Sequence, residues 1–397
     1  MAVTPVAPSR VFHPKVWALR FSSAGLPVRY RLLVLSRNLT FARSWDTVLV
    51  LDGELLDRAN AIKANHPLGD FFAHLPMRSV RGVAEPVRAR IERLQTEIRR
   101  VRFELPDDID EISFHPQGIP GIRDSTFDQR TDRIVVVSPF LSAPMLSELS
   151  REGRKNVLIS RLDELSKLNA KQLSGFHEIY SMDPDATVDP EKLADASMDP
   201  FGEGSGLHAK LYVADDGWNA HVWTGSANAT SAAFNGNIEL LVRMRGRKSK
   251  FGAEALFERK EGVTSFRDLL IPFTPSADGV PEDPVSVALD ERLEQARTII
   301  GSRQWTASVT PATSAGGFNA RLHAADWSAD TVAGVTMTVY PITLNPSRAV
   351  SVYTDGTAIF TGLSTEALTA FFAFEVTVSE AGRTQSCDFT INAHLEG

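Results

Sequence analysis

A single cysteine, Cys387, stands in a chain of 397 residues. One thiol can neither close an intramolecular disulfide nor build a cysteine metal site, and such sparing use of cysteine suits a reducing compartment. Long apolar runs are missing too. No stretch approaches the roughly 20 residues of a bilayer-spanning helix, and the N-terminal MAVTPVAPSRVF has no hydrophobic signal core. The expectation is a cytoplasmic protein with no membrane partner. Lysine is scarce, ten of the 42 basic residues, the rest being arginine.

Broad positive charge is also lacking, since the formal net charge is −7. It is unevenly placed. Residues 183 to 203 carry Asp183, Asp185, Asp189, Glu191, Asp195, Asp199 and Glu203 against Lys192, so this Pro- and Asp-rich stretch holds six of those net negative charges. It reads as an acidic loop able to restrain access to whatever follows it. The remainder is near neutral, which leaves room for a locally positive cleft but not for a wide basic face.

Against this scarcity of lysine, His-x-Lys occurs twice, as His13-Pro-Lys15 and His208-Ala-Lys210, 195 residues apart. Each is followed by an apolar run and then by Ser-x-Asn-x-Thr: Ser36, Asn38 and Thr40 in the first copy, Ser226, Asn228 and Thr230 in the second. An acid then leads another apolar run, Asp46 or Glu239. So long a period is that of a duplicated lobe, not of a solenoid.

Residues 11 to 21 and 28 to 35 read as strands, with His13 and Lys15 on one side and Pro14 hinting at an edge or bulge. The pattern from 54 to 102 is mainly helical and closes on an apolar stripe of Val87, Ile91, Leu94, Ile98 and Val101. DRIVVV, NVLISR and GFHEIY alternate with helical segments, which implies an α/β sandwich. After a Pro-rich break the chain turns to short alternating runs, GVTMTVYPI to CDFTINAHL, expected to form a β-sandwich. The expected domains are a first lobe at 1–130, a second at 131–275, and a linker helix with a β-rich accessory domain at 276–397. The second motif follows residues 131 to 207, with three strands and two helices, whereas only twelve residues precede His13. The first lobe is therefore expected to be incomplete, its missing part supplied by an upstream segment, by a protein partner or homodimer, or by the helices from 54 to 102.

His208, Lys210, Asp215, Gly225, Ser226, Asn228 and Glu239 together resemble the HKD signature of the phospholipase D superfamily. The first copy is looser, with Arg20 where the signature has aspartate, and is similar to the tyrosyl-DNA phosphodiesterase type, which pairs His-x-Lys with a downstream Asn. The resemblance covers residues 11 to 52 and 131 to 245. It implies a two-lobed α/β sandwich and a metal-independent phosphodiesterase without cofactor, a nuclease or DNA-end-processing enzyme that works through a phosphohistidine.

Such chemistry needs a nucleophile, a proton donor for the leaving oxygen and fixed positive charge, and two imidazoles can divide the first two tasks. The resemblance makes His13 the nucleophile and His208 the acid and later base. Lys15 and Lys210 would hold the nonbridging oxygens, Asn38 and Asn228 would add neutral donors, and Ser36 and Ser226 would line the site. Asp46 and Glu239 would orient the rings, with the choice of which acid faces which ring left open. Asp215 reads as a scaffold residue closing a turn, and His66, His115, His177 and His221 as structural. The expected partner is nucleic acid, DNA before RNA. The alternatives are a cytoplasmic hydrolase of phospholipids or small phosphodiesters, and a non-catalytic nucleic-acid-binding module of the same fold.

Overall fold

Pro14 cannot donate to a sheet ladder, and the first strand accordingly begins only at Val16, two residues beyond it. In this computed structural model the described residues are 10–38, 44–58, 60–79, 82–122, 126–127, 131–151, 153–183, 206–259, 265–278, 284–312, 317–325, 327 and 334–396. Strands β1 (Val16–Phe21), β2 (Arg29–Leu35), β4 (Val48–Leu55) and β5 (Val101–Phe103) form an antiparallel sheet in that order. A two-residue strand, β3 (Ser44–Trp45), lies outside it. Helices α1 (His66–His74) and α2 (Glu85–Ile98) occupy the segment read as helical. Of the expected apolar stripe only Ile98 and Val101 are fully buried. Leu32, Val34 and Leu51 of this sheet share a core with Leu68 and Phe71 of α1.

The second sheet has eight strands, ordered β14-β9-β8-β7-β11-β12-β13-β6. Its members in chain order are β6 (Ile109–Gln117), β7 (Arg133–Val137), β8 (Val157–Ser160), β9 (Glu178–Met182), β11 (Leu211–Asp216), β12 (Asn219–Gly225), β13 (Glu239–Arg247) and β14 (Leu270–Pro272). The expected alternation is present: β7, β8 and β9 run parallel with α3 (Ala143–Leu149) and α4 (Leu162–Ser166) between them. Their runs of Val, Ile and Leu are buried on both faces, as strands covered by helices require. Met145, Leu146 and Leu149 of α3 pack with Tyr212 and Ala214 of β11 on one face. On the other, Val213 and Val222 pack with Ala253 of α7 (Ala253–Leu256), which follows the short α6 (Lys248–Phe251). Asp215 accepts the Ala253 N–H at 3.0 Å and so ties β11 to α7. The scaffold reading of that residue agrees with this bond.

The chain divides into two compact units, 1–280 and 281–397. The second contains α8 (Pro284–Ser302) and two four-stranded sheets. One is β19-β16-β15-β22, from β15 (Trp305–Pro311), β16 (Phe318–Ala324), β19 (Thr357–Leu363) and β22 (His394–Glu396). The other is β18-β17-β20-β21, from β17 (Val335–Pro341), β18 (Val350–Ser351), β20 (Phe371–Glu380) and β21 (Arg383–Asn392). Trp305, Leu322, Phe360, Phe374 and Val376 contribute to one core with Leu293 and Ile300 of α8. The architecture is mixed α/β with a β-rich second unit. Among the described residues no helix is long and apolar enough to cross a membrane. The acidic stretch read at residues 183 to 203 lies, apart from Asp183, outside the described residues.

Gly225 ends β12 at φ +150°, and a Cβ there would stand 2.1 Å from the Leu240 carbonyl oxygen. That contact is backbone, so no side chain can move aside. Gly225→Ala is expected to destabilise the first unit by at least about 2 kcal/mol, read as a lower urea midpoint at unchanged slope.

Candidate functional site

Two very short parallel pairings bring the sequence repeat together. Phe12 bridges Ile238, with His13 N–H donating to Ile238 O at 2.9 Å and Ile238 N–H to Val11 O at 3.0 Å. β10 (Gly206–Leu207) pairs in parallel with β3, Leu207 opposite Trp45, and His208 N–H donates to Trp45 O at 2.9 Å. Each residue in these registers immediately precedes a site residue: Phe12 and Ile238 lead to His13 and Glu239, Leu207 and Trp45 to His208 and Asp46. Parallel pairing carries both chains onward in the same direction, so each histidine arrives beside the acid of the other copy.

The pairs are crossed accordingly. His13 Nδ1 lies 3.0 Å from each carboxylate oxygen of Glu239, and His208 Nδ1 lies 3.6 Å from Asp46 Oδ1. A carboxylate only accepts, so in the close pair His13 Nδ1–H is the donor to Glu239. Each acid is held by the serine of its own copy. Ser226 Oγ donates to Glu239 at 2.5 Å, and Ser36 Oγ donates to Asp46 at 3.2 Å. The serines are pinned alike, by the N–H of Leu240 at 3.0 Å and of Thr47 at 2.9 Å. Ser36 and Ser226 are almost fully buried, their hydroxyls turned to the carboxylates.

The lysines follow the same symmetry. Lys15 Nζ donates to its own copy's His13 O at 2.7 Å, and Lys210 Nζ to His208 O at 2.8 Å. Lys210 Nζ also lies 2.9 Å from His208 Nδ1, nearer than the Asp46 carboxylate. Burial, then the charges of Lys210, Arg37, Lys15 and His13, lower the His208 pKa to about 3. Burial, joined by the charge of Lys15, brings the Lys210 ammonium down to about 7, although Asp46 and Glu239 pull the other way. The groups thus form one electrostatic cluster with several positive members in a poorly solvated place.

Asn228 is half-buried, and its Oδ1 is buried with no hydrogen-bond partner among the described residues. A buried unsatisfied amide is costly and marks a place where a ligand could complete it. Asn38 is exposed and does not mirror Asn228. Thr40 lies outside the described residues. Among the described residues no three His, Cys, Asp or Glu side chains converge on a point where a metal could bind.

Three contributors lie outside the motif residues singled out in the sequence. Ser44 Oγ donates to Asp46 Oδ2 at 2.9 Å, and Asn237 Nδ2 to Glu239 Oε1 at 3.4 Å. Both stand two residues before their acid, so aligning the copies on Asp46 and Glu239 would have found them. Arg37 Nη1 donates to Ser44 Oγ at 2.5 Å, and its charge bears on both His208 and Lys210. Its counterpart in the second copy is Ala227, so the arginine breaks the symmetry on the Asp46 side.

A scan against protein-family models returns no match for the chain, and a search of curated proteins likewise returns none.

The depressed Lys210 pKa makes the site a net cost to folding. Between about 7 and the ordinary 10.5 the unfolded chain binds a proton that the native chain does not. Stability therefore rises with pH across that window and carries the full cost below it. Lys210→Met is expected to stabilise the protein by about 1–2 kcal/mol at pH 6 and by less at pH 9, measured by thermal unfolding at both pH values.

Proposed function

We propose that the chain is a phosphodiesterase of the phospholipase D-like two-lobed type, acting on nucleic acid through a phosphohistidine. The observation that carries the reading is the crossed arrangement, in which two histidines, each beside the other copy's carboxylate, share a site with two buried lysines. That set supplies a nucleophile, a proton donor and fixed positive charge without a further group.

In the first step His13 Nε2 attacks phosphorus while Glu239 holds Nδ1–H and orients the ring. A P–N bond forms, the bond to the leaving oxygen breaks, and His208 delivers a proton to that oxygen. In the second step neutral His208 takes a proton from water, the water oxygen attacks phosphorus, and the P–N bond breaks to return His13. Lys15, Lys210 and the Asn228 amide hold the nonbridging oxygens throughout, where developing charge is stabilised without reorganisation.

His208 is uncharged at neutral pH in the empty site, yet the first step needs its proton. Substrate supplies the change. A phosphodiester anion draws the Lys210 ammonium toward its oxygens and away from His208 Nδ1, and its own charge offsets the cluster. The Asp46 carboxylate then becomes the nearest partner of the ring and favours imidazolium. Acid catalysis is thus switched on by the anion that needs it.

Nucleic acid is favoured over lipid by the likeness of the first motif to the tyrosyl-DNA phosphodiesterase type. Labelled single- and double-stranded DNA and RNA should be cleaved in the presence of EDTA, beside a lipid-release assay that stays at background. His13→Ala and His208→Ala should each lower turnover by roughly 10³-fold or more. Wild-type turnover in His13→Ala would sink the two-histidine mechanism, and lipid release without nucleic-acid cleavage would replace the substrate.

A pH profile gives a separate check. kcat/KM reports the free enzyme, and Lys210 loses its charge as pH rises through about 7. The expected profile has an alkaline limb near that value, shifted upward in Lys210→Arg. A profile flat from pH 6 to 9 would remove Lys210 from oxyanion binding.

A further inference from the structure

The two halves of the repeat differ in what covers their central strands. In the second half, β7 pairs antiparallel with the outer edge of β11, and α3 lies over Tyr212 and Ala214, which are 0% and 1% exposed. The same positions 195 residues earlier are Trp17 and Leu19 of β1, at 48% and 37% exposure. Phe21, at 53%, continues the row along β1. Leu33 lies opposite Trp17 on β2, and Val48 and Val50 of β4 extend the same face, at 55% and 46% exposure. Among the described residues no strand pairs with the outer edge of β1. The exposed apolar side chains amount to roughly 450 Å², the size of the largest apolar patch on a typical monomer, which is often a functional surface.

Free edges in soluble proteins are usually blunted by proline, lysine, a bulge or an inward charge. Val16–Phe21 has no proline, lysine or bulge: its register with β2 is unbroken, and its one charge, Arg20, lies on the helix-covered face, where Glu97 pairs with it at 2.7 Å. The edge is also self-complementary. Leu35 N–H donates to Lys15 O, so by alternation residues 15, 17, 19 and 21 direct their backbone groups to β2, while Val16, Ala18 and Arg20 direct theirs outward. Turned about a twofold axis through Leu19, a second β1 places Ala18 opposite Arg20 in hydrogen-bonded pairs. Leu19 then meets Leu19, and Trp17 meets Phe21 twice, in the non-hydrogen-bonded pairs where side chains approach closest.

We infer that β1 is a dimerisation edge, with a second copy of this chain as its occupant. Two first sheets join through β1 into one antiparallel sheet of eight strands, the number that the second half reaches within the chain. The mixed charges beside the row, Arg31 paired with Asp52 and Arg29 with Glu104, present both signs to a twofold partner and no single-sign repulsion. A contact of this length buries on the order of 1,000 Å² in total, the lower bound for a specific interface, so the dimer is expected to be weak and concentration-dependent.

The test is light scattering behind size exclusion, loaded at about 1 and about 100 µM to expose that concentration dependence, together with hydrogen exchange of the β1 amides. The expected result is a mass approaching twice 43.5 kDa at the higher load. Ala18 and Arg20 amides should exchange at least about tenfold more slowly at the higher load than at the lower. Trp17→Lys with Phe21→Lys should restore the single-chain mass. So should Ala18→Pro, which removes an outward N–H and leaves the apolar row intact. Far-UV circular dichroism confirms that each variant folds. Trp218→Lys, at an exposed tryptophan on the β11–β12 turn, should remain dimeric. A single-chain mass at both loads overturns the proposal. So does a dimer that survives Ala18→Pro, or one in which Ala18 and Arg20 exchange at rates independent of load. These readouts use no substrate, so they stand apart from the phosphodiesterase reading.

Discussion

Everything at the site depends on two parallel pairings, each only a residue or two long. Phe12 beside Ile238 and Leu207 beside Trp45 are all that set each histidine against the acid of the opposite copy. So short a pairing has little stability of its own. It is held by what lies on either side: Pro14 stops the first strand from starting early, and the buried Ile238 and Leu207 anchor their segments in two different cores. Crossing also makes the halves interdependent, because loss of either half strands a histidine without its carboxylate.

The same crossing concentrates charge. Lys210 is fully buried and Lys15 nearly so, each fastened to its own copy's histidine carbonyl. Burial first, and then the neighbouring Lys15 charge, disfavour the Lys210 ammonium and depress its pKa. A fold selected for stability alone would place apolar residues there. Under the proposed function a bound anion would relieve that cost and draw affinity from it.

Much of this was legible in the sequence because the repeat carries its chemistry in short spacings. His-x-Lys, the serine of Ser-x-Asn and the following acid are the residues that lie together, and alternating strand and helix patterns from 131 to 182 matched β7 to β9 with their helices. The crossing was not legible, since a one- or two-residue parallel bridge leaves no periodicity and each acid stands far nearer in the chain to the ring of its own copy. The strand read from residue 11 begins only at Val16, and β11 begins only at Leu211, so each His-x-Lys sits ahead of its strand, where the backbone can fold onto the other half. Asn38 and Asn228 look equivalent by spacing, yet only Asn228 has its amide oxygen enclosed. Arg37 was hidden as the variable position inside a conserved-looking spacing.

Departures from symmetry give the two histidines different surroundings, a difference that the proposed mechanism uses. The Glu239 carboxylate is sealed, supported by Ser226 and Asn237, and touches its histidine at hydrogen-bond distance. The Asp46 carboxylate is a quarter exposed, is supported by Ser44 under Arg37, and stands back from a ring that a lysine already occupies. A ring held in one tautomer by a buried acid suits a nucleophile, whose geometry must not change between turnovers. A ring whose partner can alternate between ammonium and carboxylate suits a proton carrier, whose state must change twice per turnover. The repeat supplies two similar arrangements, and Arg37 with the looser Asp46 is what sets the His208 side apart under the proposed mechanism.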